Sequence, residues 1–290
     1  MSVEIGKRLV GALTVGALTG TALGVVAPAA ATSAALTYTC TSPGFTGPKQ
    51  FTMVADTDAP GRIAFGETIA PTATGTVTVP EDVTAVFRDG LMAKRVDGRA
   101  DVAATVDDVV RPWSLAIPQT NVPPNGTLTL EGTGSAGTFT GAKVGTVYDI
   151  AVGNFNATLN FYSANGAPSA PSTTVTCVLN PGQTAAVDTI RVVKDGTATS
   201  VKAPDINRGG LARAKVKVVS DHGKTPKGKV KAILLRSGNK LLSKKVGLRD
   251  GRVKVKLVRL GRAGDYTVKV KYLGHRNFKR SNAKDTFTVG

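Results

Sequence analysis

The residues of this chain best suited to chemistry are cations. Lysine or arginine recurs at every second position in four runs: Arg213, Lys215 and Lys217; Lys229 and Lys231; Arg252, Lys254 and Lys256; Lys269 and Lys271. A line of like charge can hold a polyanion by electrostatic attraction. Groups suited to catalysis are sparse by comparison. The two histidines, His222 and His275, fall in segments that read as loops, and no Cys, Asp or Glu cluster at metal-ligand spacing accompanies them. Both read as surface residues. Asp56-Thr57-Asp58 has oxygen ligands for a calcium loop but lacks the rest of one. Asp107 and Asp108 are adjacent, so in a strand they face opposite ways and share no proton. Neither a Gly-x-Ser-x-Gly nor a phosphate-loop motif occurs. The expectation is a protein that is not an enzyme and has no cofactor, no metal and no small-molecule substrate. The enzymatic alternative needs a pocket within residues 32–190 that gathers carboxylates such as Asp101, Asp107 and Glu131.

The elements that position the cations follow from what lies between them. Ala214, Val216, Val230, Val253, Val255, Val268 and Val270 fill the intervening positions. Apolar and charged residues in strict alternation mark strands with one buried and one solvated face. Strands are expected at 199–203, 211–219, 228–236, 240–246, 252–260, 265–272 and 286–289. Turn residues separate them at Arg208-Gly209-Gly210, Asp221-His222-Gly223, Ser237-Gly238-Asn239, Arg249-Asp250-Gly251 and between Gly261 and Gly264. Seven strands in a segment of this size suit an immunoglobulin-like sandwich. In that arrangement the second and fifth strands share one sheet, and the third and sixth share the other. Lys215 and Lys217 then lie near Arg252, Lys254 and Lys256, and Lys229 and Lys231 near Lys269 and Lys271.

Charge divides the chain of 290 residues in two. Residues 197–290 hold 25 Lys and Arg against 5 Asp and Glu, whereas residues 1–196 hold 12 against 15. Such asymmetry points to an anionic partner for the second part. The aromatic residues there, Tyr266, Tyr272, Phe278 and Phe287, read as core, because their register is that of the valines. A reader of nucleic acid interleaves exposed aromatics with its basic residues, so no specific nucleic acid is expected. Tyr266 is expected to cap a nearby turn with its hydroxyl, as tyrosine corners do.

The amino terminus reads as a secretory signal. Lys7 and Arg8 precede an uncharged run from Leu9 to Val26, then Pro28 and the small residues Ala29 to Ala31. Cleavage is expected between Ala31 and Thr32, with Ala29 and Ala35 as other acceptable ends. Left uncleaved, the segment would be the chain's only tie to a membrane, and no sorting motif is seen at the carboxyl end. Export implies an oxidising compartment, where Cys40 and Cys177 are expected to pair.

Residues 32–190 read as a cystine-tied β-sandwich, with a sandwich or barrel both open. Strands are expected at 36–40, 50–55, 75–79, 101–106, 127–131, 148–152, 157–162 and 174–178. A short helix at 80–89 starts with Pro80, Glu81 and Asp82 and brings Val83, Val86 and Phe87 to one face; a strand there is nearly as good. Trp113 reads as core or strand edge. Asn125-Gly126-Thr127 and Asn156-Ala157-Thr158 read as surface loops or turns that fit the N-glycosylation pattern. A linker is placed at 191–196.

Two resemblances bear on these regions. Leu36-Thr37-Tyr38-Thr39-Cys40, Ile117-Pro118, Val122-Pro123, Thr176-Cys177 and Pro181-Gly182-Gln183 resemble an uncharacterised domain of exported actinobacterial proteins. That implies export and a cystine-tied β fold, and no activity. Lys227-Gly228-Lys229-Val230, Gly264 through Tyr272, and Gly274-His275-Arg276-Asn277-Phe278 resemble the bacterial immunoglobulin-like repeat (group 3 type) of surface and wall proteins. That implies the sandwich fold. The family's usual outward Thr and Ser are Lys and Arg here, which sets this copy apart from a passive spacer. The sequence thus leads us to expect an all-β, secreted or extracellular protein associated with the cell surface or cell wall. Its basic module, 197–290, is expected to adhere to an anionic cell-wall polymer or another surface polyanion. A passive structural spacer and an extracellular nucleic-acid binder are the alternatives.

Overall fold

The computed structural model describes residues 34–290. The expected signal segment and its cleavage point at Ala31 and Thr32 lie outside the described residues. The fold is all-β. Among the described residues no helix is long and apolar enough to cross a membrane.

The first unit has eight long strands: β1 (Leu36–Thr41), β2 (Lys49–Thr57), β3 (Thr72–Val79), β4 (Arg95–Val106), β5 (Trp113–Asn121), β6 (Leu128–Ser135), β7 (Val147–Tyr162) and β8 (Pro168–Leu179). Antiparallel pairing runs β7-β8-β1-β2-β3-β6-β5-β4, and β4 then pairs with β7. The two faces expected of a sandwich are therefore one sheet hydrogen-bonded back onto itself. This closure removes the exposed edges that an open sheet would present. Alternate residues point inward, so Phe51, Met53, Val102, Leu115, Leu130, Phe155 and Leu159 fill the interior. Gly75 and Gly132 flank Leu115; a Cβ on either would sit 3.1 and 3.0 Å from it. Their missing side chains make room for the leucine, and the remaining void, about 30 Å³, is lined by apolar residues and offers a water no polar partner.

Cys40 and Cys177 are directly paired across β1 and β8 and form a disulfide, with Cα atoms 4.0 Å apart. The resemblance residues beside it also hold strands. Gln183 accepts the Thr37 amide at 2.7 Å and donates to the Thr37 carbonyl at 2.7 Å, imitating a strand partner for β1. The expected helix is α1 (Glu81–Ala85), followed by one π turn, Val86–Gly90, with Val83 and Phe87 buried.

Several local expectations need correction. The runs at 148–152 and 157–162 are one strand, β7, with an irregularity between Val152 and Phe155. Asn156 lies inside that strand rather than in a loop. Asp107 and Asp108 both take positive φ, 50° and 63°, and make a hairpin turn. β5 is not among the expected strands. Trp113 opens it in the core, and Pro118 sits in a bulge where β5 has two residues between its pairs with Val96 and Gly98.

The strand β9 (Ala186–Val193) pairs antiparallel with β7 and parallel with Arg62–Ala64. It overrides the expected start of a linker at 191, because residues 191–193 belong to the first sheet. Beyond it, the Asp195 amide donates to Asn277 O at 2.9 Å and the Lys279 amide donates to Asp195 O at 2.8 Å. The chain thus enters the second unit as a paired segment. Phe65 of the first unit stacks edge-on against Phe278 of the second at 5.6 Å.

The second unit has seven strands: β10 (Thr197–Lys202), β11 (Leu211–Ser220), β12 (Lys229–Arg236), β13 (Asn239–Gly247), β14 (Arg252–Arg259), β15 (Gly264–Tyr272) and β16 (Ser281–Val289). One sheet is β10-β11-β14 and the other β13-β12-β15-β16. Their inner faces close on Ala214, Val216, Val230, Leu234, Val255, Val268, Val270 and Phe287. The second and fifth strands share one sheet and the third and sixth the other, as expected of an immunoglobulin-like sandwich.

Candidate anion-binding surface

Hairpin turns fix where the cations of the second unit stand. Ser237 and Gly238, with φ of 47° and 81°, turn β12 into β13. Asp250 and Gly251, with φ of 49° and 69°, lead into β14, and Arg249 and Arg252 exchange hydrogen bonds of 2.9 and 2.8 Å across the turn. Two successive residues of positive φ make the tight hairpin turn whose twist matches the strands. A Cβ on Gly251 would lie 2.7 Å from Val218 O, so glycine is needed there on both counts. Because strand side chains alternate, a slip of one residue would turn every lysine of β14 inward.

With register set, the cations fall into rungs. On the three-stranded sheet Lys202 is opposite Lys215, and Lys215 is opposite Lys254. The next rung carries Lys217 opposite Arg252, and the one beyond Lys215 on the other side carries Arg213 opposite Lys256. On the four-stranded sheet Lys231 lies between Lys245 and Lys271, and Lys269 is opposite Lys284. Lys229 faces Gly247 on β13 rather than a cation, and on its β12 side Lys269 faces Ile233. All ten cations of the four runs are exposed except Lys231, which is half-buried. Among the described residues none of the ten joins an ion pair.

Directly opposed like charges destabilise a sheet by about 0.2–1 kcal/mol per pair. Salt softens this, since the Debye length of about 8 Å at physiological strength is comparable to the spacing. The three-stranded face is also concave. Lys202, Lys215, Lys217, Arg249, Arg252 and Lys254 line a cleft of about 760 Å³ with no carboxylate among its walls.

The aromatic residues of this unit point away from that surface. Tyr266, Tyr272, Phe278 and Phe287 are buried. The Tyr266 hydroxyl donates to Arg262 O at 2.8 Å, the turn cap expected of it. The Tyr272 hydroxyl donates to Lys227 O at 2.6 Å, and burial pushes its pKa up to about 12.

His222 is exposed, as its loop position suggested, but it is not free. Its Nδ1 lies 2.8 Å from Oδ1 of Asp195, a carboxylate with no solvent exposure, and its Nε2 lies 3.9 Å from Oε2 of Glu67 in the first unit. The hydrogen bond to Asp195 raises the His222 pKa above its ordinary value, helped by the charges of Asp195, Glu67 and Asp221 and opposed by partial desolvation. Asp195 is 27 positions away and carries no local signal. Nor did the sequence single out Lys202 and Arg249 of the cleft, or Lys245 and Lys284 of the other sheet, which lie outside the four alternating runs. His275 stays exposed in its loop.

The carboxylates considered for chemistry have other employment. Asp56 and Asp58 accept the backbone amides of Thr57 and Thr72. Asp101 pairs with Arg99 at 2.8 Å, Asp107 accepts the Asp149 amide, and Glu131 is exposed on β6. Asp188 is buried against the Thr57 hydroxyl, and desolvation raises its pKa. Among the described residues no three potential metal ligands cluster.

Residues 37–188, the closed ring with the first residues of β9, match the model of a family of unknown function, DUF6801. The chain belongs to that family. No curated protein matches the sequence. Among solved structures, a Corynebacterium diphtheriae protein described as membrane anchored has 11% identity and a TM-score of 0.35, covering 90% of this chain. The DUF6801 chain spans 58% of that protein's length. The chicken CNTN1 FN1–FN3 domains have 10% identity and a TM-score of 0.24, covering 88% of this chain and 91% of theirs. These likenesses are too distant to bear on function.

Proposed function

We propose that this DUF6801 protein is an exported, non-enzymatic component of the cell surface or wall, and that its basic immunoglobulin-like unit adheres to anionic polymers. One observation carries the reading: cations stand opposite cations in successive rungs, exposed and without ion pairs. The fold bears a repulsion that a bound polyanion would remove. The disulfide of the first unit supports export, since such bonds persist in oxidising compartments. In this reading the closed ring is a carrier, its interior filled and its β1 held by the disulfide and Gln183.

The test is retention of the full secreted chain on purified cell walls across a salt series. Binding through released counterions weakens steeply and log-linearly with salt. We expect retention at low salt and release near or above physiological strength. Retention unchanged at molar salt, or none at low salt, contradicts electrostatic adhesion.

A further inference from the structure

We infer that the outer face of the three-stranded sheet is a track for an extended phosphodiester polymer without bases, of the polyol-phosphate kind. The inference rests on the polyanion reading above and adds which face binds and what lies on it.

The two basic faces are not equivalent. The cleft on β10-β11-β14 measures about 760 Å³ and carries six cations and no carboxylate. On the other sheet the hollow beside Lys269 and Lys284 is about 340 Å³, and Asp285, opposite the buried Val268, turns its carboxylate to the Ala203 amide at 2.7 Å. A polyanion therefore meets the larger hollow, lined by six cations, on the three-stranded side.

The spacing of that surface suits a chain of diesters. Side chains two residues apart on a strand are separated by about 6.8 Å. Those opposite each other on neighbouring strands have Cβ atoms about 4.5–5.5 Å apart. Lys215 with Lys254, and Lys217 with Arg252, therefore form successive pairs along the strand direction. A phosphodiester has two free oxygens sharing one charge, and one cation can approach each oxygen. Flexible polyol linkers let successive diesters settle onto successive rungs, with the polymer running along the strands. Four of the six cleft cations are lysines, which hold phosphate as mobile point charges. Arg249 and Arg252, at the hairpin end, offer planar forks that grip a phosphate with two hydrogen bonds.

Absent bases follow from what the cleft lacks. Single-stranded nucleic acid is held by stacking its bases on aromatic side chains. No aromatic residue lines this cleft, and Tyr266, Tyr272 and Phe287 lie in the core.

The experiment measures binding of the full secreted chain to poly(glycerol phosphate), single-stranded DNA and polygalacturonate of matched charge, each across a salt series. It compares the wild type with the double variants Lys215→Gln/Lys254→Gln and Lys231→Gln/Lys271→Gln. The wild type should prefer poly(glycerol phosphate). The first double variant should lose tenfold or more, and its log–log salt slope should fall by about 1.4, two contacts at about 0.7 each. The second should change little. Both should melt no lower than wild type, since each removes a repulsive pair. If the first variant unfolds, Lys217→Gln/Arg252→Gln on the next rung replaces it with the same expected loss. Equal losses from both faces overturn the track. Equal or tighter binding of DNA or polygalacturonate overturns the base-free phosphodiester. Either result leaves polyanion adhesion standing, whereas no binding to any of the three at low salt overturns both.

Discussion

Cys40 and Cys177 close a loop of 137 residues and join two strands that are already hydrogen-bonded neighbours. In the chain-entropy account a bridge of that span contributes about 5 kcal/mol by constraining the unfolded chain. Cys40→Ala/Cys177→Ala should lower unfolding stability by several kcal/mol in urea titration; no loss would mean that the ring closes without help from the bridge. His222 makes a second prediction at this scale. Its folded pKa is raised, so its contribution to stability is fully present below its unfolded value and is lost as pH rises through the folded value. The charged groups facing it are Asp195, Glu67 and Asp221. Melting of the wild type should weaken as pH climbs upward from about 6.5, the ordinary histidine value. His222→Ala should be flat there relative to wild type. Parallel curves for the two proteins would contradict a joint held by His222. The cysteine pair was legible in the sequence because a signal-like amino terminus and an even count of cysteines both point to it. The histidine was not, since its partner is brought to it only by the crossing segment at Asp195.

The strands of the second unit follow local rules closely. Valine alternating with lysine gives the period, and Ser237-Gly238 and Asp250-Gly251 give the turns, so all seven strands can be read from the sequence. The ring of the first unit is different. Its closure depends on β4 meeting β7, a pairing of strands about 50 residues apart in the chain, and no local pattern encodes it. The end of β9 falls in the expected linker, 191–196, because charge composition changes beside it, yet Val192 belongs to the first core with Val187 and Ile190. Two predictions belong to elements. Gly251→Ala places a Cβ 2.7 Å from Val218 O at positive φ. It should cost about 1–2 kcal/mol from the conformation alone and weaken polyanion binding by disturbing β14. An unchanged melt would show that the turn can relax. Lys215→Gln relieves two opposed pairs, with Lys202 and Lys254. It should raise stability at low salt by about 0.4–2 kcal/mol, at about 0.2–1 per pair, and the gain should shrink as salt is added. A gain independent of salt would show that charge is not its source.

At the scale of the whole molecule, a near-neutral ring carries a strongly cationic sandwich, and the two meet at a joint of Phe65 on Phe278 and Glu67 near His222. The charge lies on both outer faces of the sandwich, while its aromatic residues lie within. That division favours adhesion to a polymer of repeated charge over recognition of a sequence. The central claim is that these faces bind rather than merely face solvent. The most direct measurement is wall binding by the full chain with Lys254, Lys256, Lys269 and Lys271 all changed to Glu, followed beside a melting curve. The account predicts a folded protein that no longer binds. A folded protein that binds as well as the original would contradict it.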